Sequence, residues 1–448
     1  MEPVLATASD VPLLGEISLS VAPTAPYVSS RNLATTYCAT PSCSYQTCNV
    51  INLQIGSATQ WMDPLTHQVT MNVINEEAGI PLQFASAHPM GLFERMAILL
   101  GGVVCEDVFG ANRLANLLHV YESTDKRITN ANLGFGTQMP TKVEASAATE
   151  DLYVADMHKA VEIAGGQSKR VCFSLNCSAL LTQFKWVPLF AVSGRLSIRL
   201  TMANPADVVV QRKGGATGGA VNSGKYRLED IRLQASLCTL DSQLQNKFFE
   251  SLAAGEALLL HTQCWSHNQV YIAPAQDGSY NASINRPVSR LDTCIVSHAP
   301  EITADDQAKG LQYSTWFWGG DGACRESFQY QIQLGSSRFP DAPVQGFAQT
   351  LYRNLEALGI KNSGAHSLGT DFESFSKNKF AMMLDVSKVP GVKASGQSTQ
   401  GGQEFRVQVS KLSNKEDGSA GVTTKRVYVA LLYDCFYEIR AGSITKLD

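Results

Sequence analysis

The sequence predicts an all-β protein of two tandem β-sandwiches joined by a helix. Three observations carry that prediction. Most of the chain after residue 50 reads as short β-branched runs bounded by Gly, Asn, Asp and Pro. Several of these runs recur in the same order in the second half. Midway, "SQLQNKFFESLAAG" reads as a connecting helix. Roughly eight strands per half with one or two helical insertions is the pattern of a jelly roll. The predicted class is therefore a double jelly roll: two tandem jelly-roll β-sandwiches with short helical insertions and a linker helix.

Taken in order, residues 1–50 are rich in Ser, Thr, Ala and Pro and lack periodicity, so they predict an extended N-terminal arm. The first jelly roll is expected over 51–241, the linker helix over 242–255 and the second jelly roll over 256–448. Strands are expected at Val69–Ile74, Val171–Leu175, Leu196–Met202 and Tyr226–Leu237 in the first half. Phe328–Leu334, Phe405–Val409 and Val427–Ile439 follow in the second. Phe328, Tyr330, Ile332 and Leu334 alternate with Gln329, Gln331 and Gln333, a period of two that a helix would scatter around its circumference.

Three helices stand out. Leu114, Leu117, Leu118 and Tyr121 share one helical face, as do Leu351, Leu355 and Leu358, with Gly359 as the stop. In the linker, Ser242 and Gln245 form a capping box, Leu244, Phe248 and Leu252 share a face, and Gly255 ends it.

The repeat is carried by four matches. "PLTHQVTMNV" (64–73) resembles "PVSRLDTCIV" (287–296), with Thr70/Thr293 and Val73/Val296 aligned. Leu100-Gly101 and Leu334-Gly335 each close an apolar strand ahead of an amphipathic helix. "SLNCSALL" (174–181) resembles "MLDVSKVP" (383–390) through Leu175/Leu384 and Ser178/Ser387. The strand at 226–237 matches the one at 427–439 in place and character.

Composition narrows the function. Of 448 residues, 44% are hydrophobic and only 17% charged, a thin charge coat that fits a chain covering its surface with other copies. A net charge of −4 without a basic run argues against nucleic-acid binding through phosphates; Gln211-Arg212-Lys213 reads as a solvated loop. No apolar run reaches the ~18 residues a membrane helix needs, and the N-terminus lacks a secretory pattern. The 11 scattered cysteines point to free thiols in a reducing compartment. Without a secretory pattern, the sequons at Asn176 and Asn281 are discounted.

Chemical motifs fail one by one. Gly219, Gly224 and Lys225 approximate a P-loop, but Tyr226 replaces the required Ser or Thr and a strand follows where a helix is needed. Cys38, Cys43 and Cys48 have loose spacing for zinc and no nearby fourth ligand; the next candidate is His67. His261 and His267, six apart on one strand, would lie roughly 20 Å apart. Asp321 in "WFWGGDGAC" lacks the spaced oxygen donors of an EF-hand. Trp316, Phe317 and Trp318 there read as a packed loop or subunit contact. No catalytic residue, metal site or cofactor is predicted, and the chain is expected not to be an enzyme.

"KYRLEDIRLQASLCTLDSQLQNKFFESLAAGEALLL", "RESFQYQIQLGSSRFPDAPVQGFAQTLYRNLEALG" and "KFAMMLDVSKVPG" with "ASGQSTQGGQEFRVQV" resemble segments of double jelly-roll major capsid proteins. The resemblance is to the lineage of eukaryotic double-stranded DNA viruses that includes polinton-like viruses, virophages and nucleocytoplasmic large DNA viruses, and spans roughly 50–448. It implies upright side-by-side barrels and a pseudo-hexameric homotrimer tiling an icosahedral virion. It further implies contacts with neighbouring capsomers and minor capsid or penton proteins, and loops at the barrel tops that could meet a host surface. Assembly would take place in the host cytoplasm or nucleus, and the Gly-rich 213–224 segment would be an inter-strand loop. Two alternatives stay open: a two-domain jelly-roll carbohydrate-binding protein, and an ATPase using the near-P-loop.

Overall fold

The computed structural model describes residues 27–136, 162–183, 185–192, 195–211, 225–272, 279–300, 313, 328–364, 366–368, 375, 379–389, 395–400, 404–412, 425–440 and 442–447. The Gly-rich 213–224 segment, Arg212, Asp321 and Trp316 to Trp318 lie outside the described residues.

The first half begins with β1 (Val28–Tyr37), β2 (Ser42–Cys43), β3 (Val50–Ile55), β4 (Trp61–Asn75) and β5 (Leu82–Phe84). A hairpin of β6 (Phe93–Leu100) and β7 (Val103–Phe109) leads into α1 (Ala111–Val120) and α2 (Thr124–Asn130). Then come β8 (Glu162–Ile163), β9 (Ser168–Phe173), β10 (Val187–Pro188) and β11 (Leu196–Met202). A short α3 (Pro205–Val208), β12 (Val209–Gln211) and β13 (Tyr226–Leu240) complete it. After the linker helix α4 (Ser242–Ala253), the second half runs β14 (Leu258–Ile272), β15 (Tyr280–Ile284) and β16 (Leu291–Pro300). The hairpin β17 (Gln329–Leu334) and β18 (Ser337–Gln345) is followed by α5 (Gly346–Ala357) and β19 (Met382–Asp385). The chain closes with β20 (Phe405–Ser410), β21 (Lys425–Arg440) and β22 (Ser443–Leu447).

Each half makes two facing sheets with the same strand order. In the first, β1, β13, β4 and β9 are consecutive neighbours, opposite β3, β11, β6 and β7. In the second, β14, β21, β16 and β19 lie opposite β15, β20, β17 and β18. These orders match strand for strand, so both halves are jelly rolls and the chain is a double jelly roll. Alternation builds the cores: β11 buries Leu196, Ile198, Leu200 and Met202, and β20 buries Phe405, Val407 and Val409.

The sequence matches fall on equivalent strands. Thr70 and Val73 lie on β4, Thr293 and Val296 on β16, each the strand paired to the last long strand of its half. Each β hairpin turns through a left-handed glycine, Gly101 or Gly335, both at φ 58°. Gly110 (φ 70°) and Gly346 (φ 71°) then set the entry of α1 and α5.

Two expectations are corrected. Residues 28–37, expected in an arm, form the edge strand β1, paired along its length with β13 from Val28↔Leu240 to Tyr37↔Arg232. Its sequence, VSSRNLATTY, has no fully buried residue, so it is ordered chiefly by pairing, with Val28 and Ala34 packed against the cores. The α4 cap is Asp241, whose carboxylate accepts from the Gln243 N–H at 3.1 Å, rather than the Ser242–Gln245 box. Gln245 instead accepts the indole N–H of fully buried Trp61 at 3.0 Å. Trp61 also packs against Phe190 and Phe248, with ring centroids 5.0 Å away in each case. The linker helix is thus anchored to the first sandwich by the Trp61 indole and by Phe190, which also packs against Phe249 at 5.1 Å. Trp61→Ala is expected to cost about 3–5 kcal/mol, read from urea unfolding by far-UV circular dichroism.

Candidate functional site: the seam between the two sandwiches

The residues that the sequence raised as chemical candidates do not converge. Lys225 pairs with Glu77 at 3.1 Å, and Tyr226 opens β13, a strand and not a phosphate-binding helix. Gly219 and Gly224 lie outside the described residues. His261 bonds Asp434 and stacks on Phe436, whereas His267, farther along β14, bonds the Phe109 carbonyl. His67 is buried, its Nδ1 against the Pro64 carbonyl and its Nε2 accepting from the Leu175 N–H, far from a role with the cysteines. Cys43 and Cys48 do meet, sulfur to sulfur at 3.3 Å. Among the described residues, no three His, Cys, Asp or Glu side chains are placed to hold a metal ion.

What the fold does assemble is a polar seam between the halves. β7, the edge of the first sandwich, runs parallel to β14, the edge of the second, with Asp107 opposite Ser266. The two halves thereby share one nine-stranded sheet. Only that one residue pair is in ladder register, so side chains must do the joining.

Glu106 on β7 is the principal one. It is 1% exposed. One carboxylate oxygen accepts the N–H of Trp265 on β14 at 2.8 Å and the N–H of Ala179 at 3.0 Å. The other accepts the Ser178 hydroxyl at 2.6 Å. A single side chain thus ties β7, the turn after β9 and β14 together. Burial raises its carboxyl above the ordinary range, and the hydrogen bonds from Ser178 and three backbone N–H groups oppose that shift. Three neighbours brace the same line. The Tyr437 hydroxyl on β21 donates to the Cys105 carbonyl at 2.8 Å. His267 donates from Nδ1 to the Phe109 carbonyl and stacks on Tyr428. Gly110 makes room for it: a Cβ there would lie 2.8 Å from His267 Nδ1, at a left-handed φ besides.

A second set of contacts links the helices. Asn354 on α5 donates to the Tyr121 hydroxyl (2.9 Å) and the Ala381 carbonyl, and accepts from the Met383 N–H. Tyr121, at the end of α1, donates to the Lys379 carbonyl at 2.8 Å. The Thr124 N–H and the Arg127 guanidinium cap the carbonyls of Ser367 and Leu368. Asn112 donates to Tyr313, whose hydroxyl reaches back to the Gly91 carbonyl at 2.8 Å. Together these contacts join the two sandwiches through hydrogen bonds on both the strand and the helix side.

The sequence missed this site. Its one visible trace is an acid at a buried position of an otherwise ordinary strand, "VVCEDVF".

No family model matches the chain, and no curated protein matches it. Among solved structures, it is similar to the PBCV-1 capsid protein Vp54 as fitted into a reconstruction of the virophage Sputnik: TM-score 0.58, 11% identity, 96% of this chain and 100% of that one. It is also similar to a chain of the Sputnik virophage structure, at TM-score 0.59, 9% identity, and 95% and 90% coverage. A third is the Faustovirus major capsid protein, at TM-score 0.54, 9% identity, and 95% and 94% coverage. At these identities the likeness is one of fold, and that fold is the double jelly roll.

Two outcomes test the seam. Glu106→Ala leaves buried donors from Trp265, Ala179 and Ser178 without an acceptor and is expected to cost about 3 kcal/mol or more. Glu106→Gln, which keeps an acceptor, should cost less; both are read by urea unfolding. Burial lowers His267 to about 4, so its stability contribution is full above the ordinary histidine range and lost as pH falls from about 6.5 toward 4. Wild-type stability should therefore drop on acidification by more than that of His267→Gln, by up to about 3 kcal/mol.

Proposed function

We propose that this chain is a major capsid protein that assembles as pseudo-hexameric homotrimers tiling an icosahedral virus shell. The observation that carries the proposal is the side-by-side joining of two like sandwiches through equivalent but opposite edges. Inside the chain, β7 of the first sandwich meets β14 of the second. One edge of each kind is left over: β1, the counterpart of β14, and β18, the counterpart of β7. A contact between β18 of one copy and β1 of the next repeats the internal arrangement. Such a heterologous contact closes into a ring when the rotation allows, and three copies make a ring of six sandwiches.

The surfaces support this reading. β1 is an edge strand of ten residues with Leu33 61% and Tyr37 58% exposed, the kind of edge that a lone protein ordinarily blunts. β18 is mostly exposed and carries Pro340 and Pro343, so its partner would be engaged through side chains more than through a ladder. That is also how the internal seam is made. The fold shared with the Faustovirus major capsid protein supports the same role. Partners on this reading are other copies, neighbouring capsomers and minor capsid or penton proteins, and the site of residence is the virion.

One observation favours the carbohydrate-binding alternative: a cavity of about 530 Å³ on the second sandwich, lined by Asn281, Gln329, Arg338, Asp341 and Gln408 among others. Its Gln331 and Gln408 amides are already paired within the protein, and Tyr280 and Tyr330 are buried, so it offers no aromatic platform for a sugar ring. Light scattering on the size-exclusion peak decides between them. A homotrimer is expected for the wild type, and a monomer for the Leu33→Asp, Tyr37→Asp pair with an unchanged circular dichroism spectrum. A wild-type monomer at assembly concentrations would overturn the capsid proposal.

A further inference from the structure

The three cysteines spaced evenly in the sequence sit where the chain leaves β1 and crosses toward β3. Cys43 lies on β2, fully buried and paired in register with Leu228 of β13. Cys48 is partly exposed. The turn between them is tightly held. The N–H groups of Cys48 and Thr47 donate to the Ser44 carbonyl at 3.0 and 3.3 Å, and the Ser44 and Thr47 hydroxyls bond at 2.7 Å. This turn aims the Cys43 thiol at the Cys48 sulfur, 3.3 Å away. A disulfide needs sulfurs about 2.05 Å apart, and side-chain torsions can supply that small approach while the backbone turn stays in place.

We propose that Cys43 and Cys48 form a thiol–disulfide site, closed by a small disulfide oxidant such as oxidised glutathione. The order of events follows from access. Burial, with Cys48 and Cys38 alongside, raises the Cys43 thiol well above the ordinary range, so it is neither exposed nor readily ionised. Cys48 is the sulfur that meets the oxidant. Its thiolate attacks one sulfur of oxidised glutathione and releases one glutathione. Cys43 then attacks the Cys48 sulfur of the mixed disulfide and releases the second glutathione. The two thiols lose two electrons and two protons, and the oxidant is reduced to two glutathione thiols. In a reducing compartment the pair stays open; in an oxidising one it closes. The closed form would staple β2 to the start of β3 at the edge that carries β1.

A second close pair provides an internal control. Cys264 and Cys435 lie 2.8 Å apart, sulfur to sulfur, but both are fully buried beneath the seam. Proximity is common to both pairs, whereas access belongs only to the first.

The test is thiol mapping on the folded full chain, whatever its oligomeric state, so its result does not depend on the capsid proposal. Protein reduced, desalted and treated with oxidised glutathione is quenched by alkylation, digested and analysed by mass spectrometry. Expected is a Cys43–Cys48 linkage with alkylation of both lost to background, while Cys264 and Cys435 remain unlinked. Cys38→Ser should leave the linkage intact, and Cys48→Ser should leave Cys43 unglutathionylated. Full alkylation of Cys43 and Cys48 after treatment, or a linkage that joins Cys38 instead, overturns the proposal.

Discussion

A carboxylate held away from water without a cation is an expensive group to place in a protein, and this chain places one where its two sandwiches meet. Glu106 is tolerable there only because it collects three donors from two other segments, one of them in the other half of the chain. Remove the second sandwich and the Trp265 N–H goes with it; the acid is then short of a donor and its edge strand is open. Each half therefore completes the solvation of the other. That mutual dependence explains how a strand contact with one pair in register can still fix the relative position of two domains.

Duplication supplies the rest of the logic. Because both halves have the same strand order, the chain owns two edges of each kind and uses one of each internally. The two edges of the β7 kind have diverged accordingly. β7 buries Cys105, Glu106 and Val108, while β18 exposes most of its length and carries two prolines. One edge is specialised for a permanent partner, the other for water or a partner that arrives later. On the capsid reading, that later partner is another copy.

Much of the fold was legible from the sequence because alternation and glycine placement are local. Phe405–Val409 and Leu196–Met202 follow the rule of inward apolar, outward polar without exception, and Gly101 and Gly335 mark turns that other residues rarely make. β1 was illegible for the opposite reason: VSSRNLATTY has no fully buried residue, and its order comes mainly from pairing with β13, about half the chain away. The linker cap was misplaced by a single residue because Asp241 and Ser242 are both good caps, and Gln245 was wanted by Trp61. The seam was hidden almost entirely. An acid in "VVCEDVF" is visible, but its acceptor role depends on a partner 159 residues away, Trp265, whose contribution is a backbone N–H that any residue except proline could offer.

The strand order also carries a consequence in time. In each sandwich the last long strand is not at the rim but in the interior of its sheet: β13 lies between β1 and β4, and β21 between β14 and β16, with only the short β22 made after it. Neither sheet is whole until its half of the chain has been made, and contacts that span so much sequence form slowly. The first half, however, can be complete while the second is still emerging. Its β7 edge, Glu106 included, is then already standing when β14, the first strand of the second half, arrives beside it. The younger half of such a chain can take the older half as its template.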